Sequence, residues 1–264
     1  MMKELKFALY AIKKNIQSSA ELRTSFLMNV VGMALNNIAF IILWVFFIKS
    51  VGNIGGWTVA DIIGLQGFNA LCYGIVFSVG IGIRKLADYT ASGSFDRFML
   101  SPKNLLVRIS TASFSASGIG DIIFGIICLG IYVSLIQANF FQVFLILFLI
   151  PFAVLVFFAV SVMIASVSFL FIDASSISDG LFWFFSTPSM FDGGAFQGAM
   201  RFIFTFLIPS LLVGTIPVEI VRDISMGKLL LISILAIFWF VFSIKIFYRA
   251  VRKYESTNFM TFGN

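Results

Sequence analysis

Apolar residues along the chain come in long unbroken runs separated by short polar or charged breaks, a pattern that predicts helices crossing a bilayer. The beginning is different. Leu5, Leu9, Ile12 and Ile16 recur at helical spacing, with Lys3, Lys6, Lys13, Lys14 and Gln17 on the opposite side. Residues 1–24 are therefore expected to form a basic amphipathic helix lying in the cytoplasmic interface. Spans follow at about 26–48 and 60–83, joined by a turn rich in glycine at Gly52, Gly55 and Gly56. Arg84, Lys85, Asp88, Asp96, Arg97 and Lys103 then force residues 84–104 out of the hydrocarbon. A third span is expected at 119–136 and, after the uncharged turn Gln137, Ala138, Asn139, a fourth at 140–171. That fourth run is 32 residues, or about 48 Å of helix against a core of about 30 Å, so it must tilt, kink or protrude, with Pro151 as the natural kink.

The remaining runs are irregular: 177–191, the polar Asp192, Gly193 and Gly194, then 202–221 with Pro209 and Pro217, and a last run at 229–248. Charge settles the count. Positive residues number five in the first 24, one in the first turn (Lys49), five from Arg84 to Arg108, none around Gln137 and four near the end (Lys245, Arg249, Arg252, Lys253). The positive-inside rule puts both termini and the Arg84 loop in the cytoplasm, which requires an even number of crossings. The fold class expected is thus all-α integral membrane. It has six transmembrane helices, with 177–191 as the fifth and 202–221 as the other candidate for that crossing, an N-terminal amphipathic interfacial helix, and 202–221 assigned as a re-entrant helical pair before the last span. Residues 25–250 form one transmembrane domain and 251–264 a cytoplasmic tail. The acidic connection holding Asp173 and Asp179 lies on the cytoplasmic side in this arrangement.

Composition agrees: 60% of the 264 residues are apolar and 11% charged, against about 45–50% and about 25% in soluble domains. The mean hydropathy is +1.04. The net charge of +6 reflects basic residues facing a cytoplasm, not a nucleic-acid partner. With no histidine, and with Cys72 and Cys128 both inside apolar runs, the inventory excludes a Cys/His zinc site, a CxxC redox pair and a Ser-His or Cys-His nucleophile. No metal ligand set or catalytic residue is assigned. The opening MMKELKFALYAIKKNIQ lacks a continuous apolar stretch and a cleavage site, so it is not read as a signal peptide. No internal repeat is visible, which argues against inverted-repeat transporters, and no phosphate-binding G-x-x-x-x-G-K-[ST] loop is present. Any ATP chemistry belongs to another polypeptide.

Gly118, Ile119, Gly120, Asp121 spell GxGD, which resembles the motif of intramembrane aspartyl proteases. Those enzymes need a second membrane Asp to share a proton, and the only acid in the preceding spans, Asp61, sits at the opposite end. Asp121 is expected near the headgroups or hydrogen-bonded between helices. Asn29 and Asn36, seven apart, and Gln66 and Asn69, three apart, are amides within spans. They either bond helices together or line a substrate path. In the 84–104 loop, Gly93 should break a short helix. Phe95, Phe98, Met99 and Leu100 then cluster around Asp96 and Arg97, as a docking surface or as packing on the protein's own helices.

Several segments together resemble the permease subunits of ABC-2-type exporters, in the short six-helix branch. They are Gly56, Trp57, Thr58 opening the second span; Gly93 to Pro102 after it (Gly93, Ser94, Phe95, Asp96, Arg97, Phe98, Met99, Leu100, Ser101, Pro102); the paired Pro209 and Pro217; and Arg252, Lys253, Tyr254, Glu255, Ser256 in the tail. Ser101 departs from the pattern, which expects a basic residue before the proline. The resemblance implies a multi-pass protein of the prokaryotic plasma membrane, paired with a second permease, the same chain or a different one. Cytoplasmic ABC ATPase subunits, which hold ATP and Mg, would dock beneath; this chain would bind no cofactor itself. Gly93, Phe95, Asp96, Arg97, Phe98, Met99, Leu100 and Pro102 would couple to the ATPase, and Pro209 and Pro217 would mark the outer gate. Substrates in the family include drugs, antibiotics, lipids and glycans. A channel or scaffold without an ATPase is the alternative from another class.

Overall fold

The computed structural model describes residues 2–52, 55–171 and 174–254, and every regular element among them is helical. The chain opens with α1 (Met2–Glu21) and turns at Leu22 into α2 (Arg23–Val51). The stripe of α1 that faces protein is Glu4, Phe7, Ala8, Ala11, Ile12, Asn15 and Ser19. Leu5 and Leu9 stay about 60% exposed, on the side of α1 turned away from the protein.

α3 (Val59–Gly80) runs on through a tight turn, Ile81–Ile83, into the short helices α4 (Leu86–Ala91), α5 (Asp96–Met99) and α6 (Leu105–Ser110). The third span is α7 (Ser117–Leu135), and α8 (Phe140–Ala165) follows, continuing helical through Pro151 and ending in the turn Ser166–Phe169. After α9 (Ser175–Ser189) come α10 (Gly198–Phe202), α11 (Thr215–Asp223) and α12 (Met226–Val251).

Among the described residues, five helices are long and apolar enough to cross a bilayer: those starting at Arg23, Val59, Ser117, Phe140 and Met226. The stretch expected as the fifth of six crossings, 177–191, is α9. At 15 residues it is about 22 Å long, short of a core of about 30 Å. The segment still joins the two ends of the bundle. Near its start Asp179 pairs with Arg84; beyond its end Gly194 lies so close to Gly55 that a Cβ there would come within 2.5 Å of the Gly194 Cα. Asp173 lies outside the described residues, as do Glu255 and Ser256.

α3, α8 and α12 all start at the end marked by Trp57, and each is capped by a side chain there. Thr58 with Asp61 and Asn139 with Gln142 form reciprocal capping boxes, and Ser225 accepts from the Lys228 amide. The core lies where α3, α7, α8 and α9 meet, around Leu65, Phe68, Tyr132, Val156, Phe157 and Phe185. α3 and α7 approach almost backbone to backbone: a Cβ on Gly74 would strike the Gly118 carbonyl oxygen at 2.7 Å. Small residues let dispersion replace a hydrophobic drive that lipid cannot supply. α2, by contrast, is only 11% buried along its apolar window.

Candidate functional site

The Arg84 loop is built from its glycines and aromatics outward. Gly82 permits the turn after α3 to touch α6, since a Cβ there would collide with the Ile109 carbonyl oxygen. Gly93, buried and at φ +68, reverses the chain between α4 and α5 in a conformation that side chains with a Cβ disfavour. This turn drives Phe95 inward until it is 0% exposed. Its ring lies 5.0 Å from Phe169 and 4.7 Å from Tyr254, and Phe169 lies 5.7 Å from Phe247. Phe98 is buried beside it, against Tyr89 at 5.2 Å.

Polar bonds finish the anchoring. The Tyr254 hydroxyl donates to Asp96 Oδ1 at 3.1 Å. The Arg108 guanidinium donates to the carbonyls of Arg97 at 2.9 Å and Phe98 at 3.0 Å, satisfying orphan acceptors at the end of α5. α1 closes the flank, with Glu4 accepting from the Asn104 amide at 3.2 Å and Asn15 donating to the Thr111 carbonyl at 2.8 Å. Arg84 joins this end to α9 through Asp179 at 2.7 Å and by stacking 3.9 Å over Phe182.

The loop thus divides. Gly93, Phe95 and Phe98 are packed on the protein's own helices, whereas Arg97, Met99, Leu100 and Pro102 are exposed, Leu100 at 87%. Arg97 lies 5.0 Å over the Phe98 ring, which stiffens an otherwise free cation. The exposed tip is a small apolar surface beside a positive charge, mounted on a rigid aromatic base.

At the Trp57 end, residues 198–223 form a hairpin. It descends through α10 and a wide turn at Ile203–Leu207, bends at Pro209 and returns through α11. Its bend is tied to α9 by Ser210 Oγ, which donates to the Phe185 carbonyl at 2.6 Å. Pro209 and Pro217 are both buried, and Pro217 sits in the first turn of α11, where a backbone donor is not needed. The two arms are clamped by Glu219, which is buried and accepts from Arg201 at 2.6 Å and Lys228 at 2.7 Å. Beside it Arg222 reaches Asp61 at 3.5 Å and Asp223 at 3.2 Å. Burial opposes the charge on Arg222, and the bond to Asp223 with the charges of Asp61 and Glu219 outweighs it, so its guanidinium is held above its ordinary pKa. A cavity of about 370 Å3 opens among these ions beside Trp57 and Gly193.

The four span amides do not come together. Gln66 donates to the Met190 carbonyl at 3.1 Å and Asn69 to that of Ser189 at 2.7 Å, while Ser189 Oγ donates back to Asn69 at 2.8 Å. They close the end of α9. Asn29 bonds its own helix at the Ser25 carbonyl, and both Asn29 and Asn36 are exposed on α2. The amide that reaches across is the neighbouring Asn37, which donates to Asp121 Oδ1 at 2.6 Å. Asp121 is 4% exposed and is thus hydrogen-bonded between helices. Sequence reading missed Asn37, whose only signal was its place one residue beyond Asn36, and did not foresee that Tyr254 would plug the loop.

Comparison with known proteins places the chain. Residues 34–258 match a family described as ABC-2 family transporter protein. No curated protein and no solved structure matches. The match takes in the Arg84 loop, the hairpin and all five long helices in whole or part, and it covers well over half of the chain. The chain belongs to the ABC-2 transporter family and is a multi-pass membrane permease subunit of that type.

Proposed function

We propose that this permease works as half of an exporter in a prokaryotic plasma membrane, with the Arg84 end and both termini in the cytoplasm. ATP is hydrolysed by separate ABC ATPase subunits that carry the Mg and nucleotide. A second permease, identical or different, completes the path, and an amphiphilic substrate of the drug, antibiotic, lipid or glycan class moves outward. The observation that carries this reading is the divided loop: Met99 and Leu100 exposed on a base of Phe95 and Phe98 that is locked to α8, α12 and Tyr254. A tip of that kind can receive a push and pass it to long helices without deforming.

The hairpin at 198–223 would close the outer side, with Pro209 and Pro217 holding its shape. Co-purification from the native membrane tests the scheme. A soluble subunit with a phosphate-binding loop should accompany the wild type, and replacing Met99 and Leu100 together by alanine should release it while leaving the permease folded. A permease that purifies alone would overturn the scheme and favour a channel, and an ATPase that stays bound to the double variant would refute the coupling assignment.

A further inference from the structure

An apolar groove of about 580 Å3 runs along the flank of the bundle, within the range of about 300–1,000 Å3 typical of ligand sites. α3 and α12 both pack on α8, and the groove is lined by all three together with α6 and α1. Val79, Val107, Leu155, Phe240, Ile244 and Ile12 represent the five walls. From Phe240 to Tyr248 it follows α12 for about 12 Å. At the Tyr248 end it meets a second cavity, of about 260 Å3, which shares Ile244 and Tyr248 and is otherwise lined by Lys245, Arg249 and Arg252.

All three cations are exposed, and among the described residues none of them forms an ion pair. An apolar channel as long as part of an acyl chain, ending in a triad of exposed cations, has the chemistry of one amphiphile. We propose that the groove holds a single anionic phospholipid, its chain between α3 and α12 and its phosphate on Lys245, Arg249 and Arg252. Two features make this more than general attraction to a membrane. The cations sit on successive turns at 245, 249 and 252, on the face next to the one carrying Phe240, Ile244 and Tyr248, and Ile244 and Tyr248 line both cavities, so the apolar wall runs up to the charges. α1 contributes Ile12 to the groove, so a bound lipid would also seat that helix.

The test is native mass spectrometry of the full chain, delipidated in mild detergent and titrated with dioleoylphosphatidylglycerol or dioleoylphosphatidylcholine. The wild type should retain one phosphatidylglycerol in preference to phosphatidylcholine. The variant Lys245→Gln with Arg249→Gln and Arg252→Gln should bind phosphatidylglycerol roughly a hundredfold more weakly, since each cation near an anionic headgroup is worth about a factor of five. An equal loss of charge on α1, Lys6→Gln with Lys13→Gln and Lys14→Gln, should leave retention near the wild type. Leu155→Trp, which fills the groove, should weaken both lipids alike. Equal binding of the two lipids by the wild type, unchanged phosphatidylglycerol binding in the α12 variant, or an equal loss in the α1 variant would each overturn the proposal. The α12 variant alters exposed side chains alone, so it decides the matter even if Leu155→Trp misfolds.

Discussion

The two ends of the bundle are held by opposite chemistry. At the Arg84 end the loop is fastened by aromatic rings, with Phe95, Phe98, Phe169, Phe247 and Tyr254 in one cluster. At the Trp57 end the hairpin is fastened by charge, with Glu219 between Arg201 and Lys228 and Arg222 between Asp61 and Asp223. Packed rings have no low-cost alternative arrangement, whereas ion pairs with arms open to water can exchange partners. In the proposed scheme the first would serve as a handle and the second as a latch.

Substitutions can break that contrast. The largest effect is expected for Phe95→Ala, which leaves a cavity where the side chain is wholly buried and should cost about 3–5 kcal/mol. The thermal midpoint in detergent should fall sharply, and Phe95→Leu should recover part of it. Glu219→Gln removes the shared partner of two cations. The cost should be about 1–3 kcal/mol, below that of a fully buried pair because the Arg201 and Lys228 side chains are 36% and 34% exposed. A latch also predicts that, in the assembled transporter, the partner subunit's ATPase activity becomes less dependent on substrate in this variant. Tyr254→Phe deletes the hydroxyl that donates to Asp96 and keeps the ring against Phe95, so it should cost about 0.5–1.5 kcal/mol and should loosen coupling before it loosens the fold. Leu100→Ala should change stability by no more than about 0.5 kcal/mol. Its whole effect should appear in ATPase binding, measured by titrating the detergent-purified partner. A large stability loss for Leu100→Ala, or a small one for Phe95→Ala, would erase the distinction between tip and base.

How much of this was legible beforehand differs by region. The long spans were, because lipid demands uninterrupted apolar length and the polar breaks at Thr58, Asn139 and Ser225 are helix caps. The apolar character of the Arg84 loop was legible too, but not which half of it is buried. That depends on Phe169, Phe247 and Tyr254, more than 70 residues away. The run 177–191 was already as short as α9 (15 residues); what the sequence could not show is that Gln66 and Asn69 hold Met190 and Ser189 at its end. Asn37 was not legible at all: adjacent residues on a helix point about 100° apart, and periodicity alone could not say which of Asn36 and Asn37 meets Asp121.

The bond between Asn37 and Asp121 also carries a consequence for how the protein is made. A carboxyl group carried into the membrane without a partner is costly, and Asp121 lies about one turn inside the start of α7. α2 leaves the ribosome before α7, and it is the least buried of the long helices, so for a time it stands in the lipid with its amide waiting. Chain order thus lets the span that carries the acid meet a partner made before it.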